Sequence, residues 1–308
     1  MGYGGWSDDA DRVLRSSYST KSTDDIFHHT KSDTVSNEMS PEHLVLRESR
    51  DSEEHPNSIP VMIALDVTGS MSTIPNHMVR EHLPKLMTTM LKHELPDVQV
   101  LFLAVGDHEC DRHPLQVGQF ESGTEEINKW LTETNLEGGG GPNYGESYFL
   151  AHLVAARFTS IDSFEKRGKK GFLFTIGDEP CLNKLFISDV CDEKLKAMLK
   201  EAQIETLDAK AIIEEAQRTY HVFHVQLDSR GSSKWKDWLG QNVIEMDKSD
   251  VANIAEVIAS TVALVNGADL ADITKDFDDK TALTVSTALA NIDSRITKAG
   301  KEDGIIVI

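Results

Sequence analysis

Positive charge is what this chain has too little of. Its 308 residues carry 31 Lys and Arg against 51 Asp and Glu, a formal net charge of −20. A surface of that sign repels a phosphate backbone, so nucleic acid is excluded as a general partner. Solubility, cations and basic protein surfaces are what it favours. Cysteine is nearly absent: Cys110, Cys181 and Cys191 are an odd number, with neither a CxxC nor a zinc spacing. They offer no disulfide framework, and reduced thiols in a cytoplasmic protein are the expectation.

Long apolar runs are missing as well. The stretch 251–265 is interrupted by Asn253, Glu256, Ser260 and Thr261, too short and too polar to span a bilayer. Residues 1–20 are polar and Gly-rich and lack the apolar segment of a secretory signal. No P-loop, GxSxG or HExxH occurs, and the glycine run 138–141 has no following Lys-Ser/Thr. Nucleotide phosphates and the commoner hydrolase chemistries therefore have no visible footing.

What is present divides the chain into segments. Residues 1–58 read as a polar arm, rich in Ser, Asp, Thr and His, irregular, with Trp6, Leu14, Tyr18 and Phe27 available for burial. From residue 59 the pattern changes. The apolar runs 59–65, 98–105, 115–120, 171–176, 221–227 and 243–246 read as strands. The first is continuous rather than alternating, as a strand buried on both faces requires. The stretches 74–91, 125–131, 146–158, 194–203, 209–220 and 251–265 read as helices, with Asp208 placed as an N-cap. Strands alternating with helices predict an α/β fold over residues 59–267: a three-layer, doubly wound, mostly parallel six-stranded sheet, Rossmann-like, with the third strand antiparallel at an edge. Residues 268–308 form a C-terminal extension of one or two helices. Its apolar end, GIIVI at 304–308, is expected to dock on a sheet edge or on another subunit.

In doubly wound sheets ligands sit beyond the carboxyl ends of the strands. Polar residues gather at those ends here, at 66–70, 107–111 and 178–179. Asp66, Thr68 and Ser70 alternate on a loop that Gly69 lets turn tightly. Short oxygen side chains so spaced can converge on a hard cation, Mg²⁺ above all. The same residues would also serve as a helix-capping turn. Asp178 and the loop 138–146 bring further oxygens to the same rim. The segment 107–113 is dense in metal-capable side chains, but its spacing matches no established ligand set, and His152 and His224 read as structural.

The segment VMIALDVTGSMS resembles the first strand and metal-ion-dependent adhesion site of von Willebrand factor A domains. That family's pattern is DxSxS, then a Thr from a second loop, then an Asp from a third. Asp66, Thr68 and Ser70 match the first part, with Thr for the first Ser, and Asp178 in FTIGDEP matches the last. The second loop, GGGGPNYGES, departs: it has no Thr and resembles the GGGDxPE loop of the alpha-kinase-associated, intracellular subgroup. AVGDH at 104–108 resembles that subgroup's YRDH. The resemblance covers about residues 59–266. It implies Thr68, Ser70 and Asn143 as direct ligands, Asp66 and Asp178 acting through water, and Glu146 as an accessory; Glu179, beside Asp178, reads either as a second accessory or as a solvated side chain. It implies Mg²⁺, with Mn²⁺ or Ca²⁺ as substitutes, and an adaptor rather than an enzyme. A partner's Asp or Glu would complete the coordination; an AAA+ ATPase, a kinase or another catalytic subunit is the expected partner. Two alternatives stand beside it. One is a metal-assisted hydrolase using Asp66, Asp178 and Glu146; the other is a homo-oligomeric assembly protein exchanging arm and tail.

Overall fold

The computed structural model describes residues 4–69, 71, 73–138, 141, 144–228 and 231–303, with side chains described as far as residue 292. Its strands are β1 (Arg47–Ser49), β2 (Ile59–Asp66), β3 (Val98–Val105), β4 (Leu115–Val117), β5 (Thr159–Ile161), β6 (Gly171–Gly177), β7 (Lys184–Phe186), β8 (Thr206–Asp208), β9 (Tyr220–Leu227) and β10 (Val243–Met246). The arm holds helices α1 (Asp8–Tyr18), α2 (Thr23–Ile26) and α3 (His28–Ser32). The central region holds α4 (Thr73–His77), α5 (Leu83–Lys92), α6 (Thr124–Thr132), α7 (Phe149–Arg157), α8 (Asp162–Arg167), α9 (Glu193–Glu201), α10 (Ala209–Ala216), α11 (Ser232–Leu239) and α12 (Ile254–Val265). Helices α13 (Leu270–Thr274) and α14 (Asp279–Asp303) follow.

The apolar runs become the six-stranded sheet, in the order β10-β9-β6-β2-β3-β4. All pairings are parallel except β3 with β4, which is antiparallel at the edge. This is the expected doubly wound α/β architecture. Side chains alternate across it: Val61, Ile63 and Leu65 join the core beneath α5, α12 and α14, while Met62 and Ala64 join the core beneath α7 and α10. Both faces of β2 are thus closed to water, which is why its sequence is a continuous apolar run.

Several boundaries differ from the sequence reading, each for a local reason. The helix expected over 74–91 is broken by a π-turn at Met78–His82. Pro84 lies in the first turn of α5 and has no N–H to offer the preceding turn, and the π-turn absorbs the gap. The helix expected from Glu146 begins at Phe149, because Glu146 is drawn into a parallel bridge with Cys181. Helix α10 stops at Ala216 because Tyr220 is needed to start β9. Asp208 caps α10 through a bond from Ala211 N, as expected. Helix α11 had no distinct signal in its short, Lys- and Trp-containing sequence.

The arm carries three α-helices where the sequence suggested irregularity, and most of the rest of it is irregular. Ser7 caps α1, and Tyr18, Ile26 and Phe27 enter the main core. The few apolar residues are enough because they are concentrated where the arm meets the sheet layer. At its end β1 pairs with β5. Here Arg50 reaches Asp162 at 2.8 Å, Lys166 reaches it at 2.6 Å, and Asp51 N donates to it at 2.9 Å. Burial alone would raise this carboxyl; the bonds from Lys166, Asp51 N and Arg50 overcome that and hold it at about 2. A depressed carboxyl stabilises the fold above its unfolded pKa and loses that contribution as pH falls through the folded value. The stability gap between wild type and Asp162→Asn should therefore be about 1–2 kcal/mol at pH 7, allowing for solvent screening, and should close between pH 4 and 2. Urea midpoints at pH 7 and pH 3 check it; an unchanged gap would refute it.

At the C-terminus α14 packs on α12 and buries Val285, Leu289 and Ile292. The GIIVI segment lies outside the described residues. No helix among the described residues is long and apolar enough to cross a membrane.

Candidate functional site at the sheet's carboxyl edge

The strand order reverses between β2 and β6. From β2 the chain passes through α4 and α5 to β3 on one side, while β6, β9 and β10 build outward on the other. The crevice at such a reversal is where this architecture accepts ligands. Asp66 is the last residue of β2 and Asp178 the first after β6. The topology therefore brings these two buried carboxylates to one point.

Asp66 is held from two sides. Its Oδ1 accepts from Thr68 N at 2.9 Å and from the Thr68 hydroxyl at 2.6 Å. Its Oδ2 accepts from the Tyr148 hydroxyl at 2.7 Å. Tyr148 is fully buried and fits only because β6 ends in glycine: a Cβ at Gly177 would lie 1.8 Å from the Tyr148 oxygen. Asp178 is paired with Lys248 Nζ at 2.7 Å. The Asp178 carbonyl also accepts from Gln226 Nε2 at 3.0 Å.

The surrounding loops are knitted together by backbone bonds. Gly138 N donates to Val67 O, Ser147 N to Gly106 O, Glu146 N to Pro180 O, and Leu182 N to Glu146 O. These bonds bring the loop after β2, the loop after β3, the glycine loop and the loop after β6 to one rim. The buried Glu146 carboxyl keeps Oε2 without a hydrogen-bond partner among the described residues. Tyr144, beside it in the same loop, is 91% exposed.

The electrostatics follow from this crowding. Burial raises the Asp66 carboxyl, and the nearby charge of Asp178 adds to the rise, against the opposing bonds from Thr68 and Tyr148. Glu146 is pushed up by burial, then by Asp66, Asp111, Asp107 and Glu179. Asp111 is lifted to about 6, chiefly by burial, with Glu137 and Asp107 adding to it. The rim thus concentrates more negative charge than its solvation supports.

The segment 107–113 closes largely on itself. Asp111 Oδ2 accepts from Asp107 N at 2.6 Å, and Asp107 Oδ1 from Glu109 N at 2.9 Å. His108 is buried, with its Nδ1 2.6 Å from the Ser147 hydroxyl. Cys110 donates to Asp107 Oδ2 at 3.0 Å, and burial with that bond raises its thiol. Cys181 is pushed up to about 12 by burial. Neither thiol is activated as a nucleophile. His224 stacks on Trp235 with ring centroids 3.9 Å apart, its Nδ1 2.8 Å from the Thr175 hydroxyl, and His152 Nδ1 meets the Tyr148 carbonyl at 3.0 Å. Both are core histidines, as read from the sequence.

Of the residues singled out in the sequence, Asp66, Thr68, Asp178, Glu146 and Glu179 stand around this rim; Ser70 and Asn143 lie outside the described residues. Sequence reasoning missed Lys248 and Tyr148. Lys248 was findable: it lies two residues past β10, at the same carboxyl edge. Tyr148 was not, since its fit against Gly177 exists only in three dimensions.

The donors present suit a hard divalent ion. They are carboxylate and hydroxyl oxygens, one of them buried and unpartnered, in a field of excess negative charge. Among the described residues, the His, Cys, Asp or Glu groups that bring three ligand atoms within 4.8 Å of one another are confined to His28, His29 and Glu133.

No protein-family model matches the chain, and no curated protein does. Among solved structures, the pilus adhesin SpaC of Lactobacillus rhamnosus GG in its open conformation is similar at 13% identity and a TM-score of 0.41, over 70% of this chain and 31% of that one. Proximal thread matrix protein 1 of the mussel byssus is similar at 9% identity and a TM-score of 0.43, over 69% and 50%. A von Willebrand factor type A protein of Catenulispora acidiphila is similar at 12% identity and a TM-score of 0.37, over 73% and 48%. This chain spans half or less of the length of each. Likenesses so distant extend to no functional property.

Proposed function

We propose that this chain is a von Willebrand factor A-like interaction module that binds a partner's Asp or Glu through a divalent cation, Mg²⁺ by preference. The observation that supports this reading most is the crowding of buried carboxyls at the β2/β6 reversal, with Glu146 Oε2 left without a partner among the described residues. A dication there would offset charge that the fold otherwise carries unfavourably. Thr68 is suited to hold it. Its hydroxyl proton goes to Asp66, which turns the oxygen lone pairs away from Asp66 and leaves them for a metal. Ser70 and Asn143 would join Thr68 as direct ligands, with Asp66 and Asp178 acting through water and Glu146 and Glu179 close by. When bound, the ion supplies a Lewis-acidic position that a carboxylate from outside can fill. Tyr148 and Lys248 position the two aspartates. A cytoplasmic adaptor beside an ATPase, a kinase or another catalytic subunit is the setting this reading carries.

Affinity capture with Mg²⁺ and with chelator tests the proposal. Wild type should retain a partner only with Mg²⁺, and Asp66→Asn, which keeps an acceptor for Thr68 but turns an NH₂ donor toward the Tyr148 hydroxyl, should retain none. Equal retention in chelator would refute metal dependence.

Glu146 favours a second reading, a metal-assisted hydrolase. A carboxyl pushed up by burial and neighbouring charge can act as a general acid or base at neutral pH. Turnover of p-nitrophenyl phosphate with Mn²⁺ or Mg²⁺, lost in Glu146→Gln, would establish it.

A further inference from the structure

Far from the rim in sequence, the arm meets the end of α6. His28 and His29 open α3, behind a fully buried Phe27. Glu133 follows the last residue of α6. Its carboxylate spans both rings: His29 Nε2 lies 2.9 Å from Oε2, and His28 Nε2 lies 3.6 Å from Oε1. Leu136 N donates to the Thr30 hydroxyl at 2.8 Å, fixing α3 against the segment after α6.

A chain of hydroxyls stands behind His29. Ser32 Oγ donates to the carbonyls of His28 and His29. It lies 2.7 Å from Thr34 Oγ1, which lies 3.0 Å from His29 Nδ1. With the proton on Nδ1, Thr34 Oγ1 accepts it and the Nε2 lone pair faces the Glu133 carboxylate, the arrangement a metal ion between them would use.

We propose that His28 Nε2, His29 Nε2 and the Glu133 carboxylate form a zinc-class cation site that clamps the arm to the end of α6. Two imidazoles and one carboxylate, with one position open to water, are a donor set for Zn²⁺. Mg²⁺ prefers oxygen alone and would not compete. The three ligand atoms lie within 4.8 Å of one another; rotamer changes of these partly exposed side chains would bring them to the tetrahedral separation of about 3.3 Å. Thr34 supplies the outer hydrogen bond that orients a metal-bound imidazole.

The test uses the full chain, stripped with chelator. Zn²⁺ competition against a chromophoric chelator should show one equivalent bound, and Co²⁺ should give the visible ligand-field bands of a tetrahedral site. His28→Ala with His29→Ala should abolish both signals, and Thr34→Val should weaken binding about 10-fold. The Arg112–Asp33 ion pair anchors the arm separately, so circular dichroism should show the double variant folded. Asp66→Asn should bind Zn²⁺ like wild type, which keeps this site distinct from the rim. Absence of Zn²⁺ uptake, or undiminished uptake by the double variant, would overturn the proposal and leave a His29–Glu133 hydrogen bond.

Discussion

Mg²⁺ at a hundred times its dissociation constant is expected to raise the melting temperature by about 5–10 °C. Ligand bound only by the native state adds RT ln(1 + [L]/Kd), about 2.7 kcal/mol at that ratio. For a domain of this size each kcal/mol moves the midpoint by about 2–4 °C. The rise has a specific origin here. Asp66, Asp178 and Glu146 are all buried at one strand reversal, and burial with mutual repulsion raises Asp66 and Glu146. On the proposed reading the ion would relieve that repulsion as well as gain its own ligands. Thr68→Ala with Ser70→Ala should abolish the shift, because the double substitution removes the two hydroxyls proposed as ligands and leaves the carboxylates. Differential scanning calorimetry with Mg²⁺, with chelator and with monovalent salt at matched ionic strength reads the effect. Equal shifts in wild type and the double variant would mean diffuse charge screening instead of a site.

Gly177→Ala is expected to destabilise the fold by about 3 kcal/mol, at the upper end of overpacking costs. A Cβ there would stand 1.8 Å from the Tyr148 oxygen and 2.4 Å from the ring carbon that bears it. Gly177 is inside the central sheet, paired in register with Gln226, so the strand has little freedom to retreat. Tyr148 must give way, and with it the bond that holds Asp66. The substitution should therefore weaken Mg²⁺ binding along with stability. Combining it with Tyr148→Ala opens the space the methyl needs. The double variant should be less destabilised than the two single variants summed and should recover none of the lost metal affinity, a non-additivity that a double-mutant cycle measures. Strict additivity of the two substitutions would show that they do not meet.

Most of the fold is written locally. The runs at 59–65, 98–105 and 171–176 are apolar on both alternations because both faces of the sheet are covered, and that pattern needs no tertiary knowledge to read. The arm was harder. Tyr18 and Phe27 are legible as apolar residues available for burial, but with no sustained period around them their place in the main core, and that of Ile26, comes from the tertiary structure. The break in the first helix also depends on one residue, Pro84, whose effect is felt a turn earlier.

The candidate site divides in the same way. The residue types at 66–70 and 178 follow from sequence, because oxygen side chains at strand ends are a local property. Their approach does not: Asp66 and Asp178 meet because β2 lies beside β6, although over a hundred residues separate them in the chain. Tyr148 acquires its role only through its fit against Gly177. The His28–His29–Glu133 cluster is the extreme case, since neither a spacing nor a motif links an arm dipeptide to the end of α6. Sequence determined which segments bury and which side chains can carry charge or donate oxygen. Tertiary packing decided which of them share a volume. Electrostatic repulsion, lone-pair contacts and van der Waals overlap act at a few ångströms through space, and separation along the chain does not measure that distance.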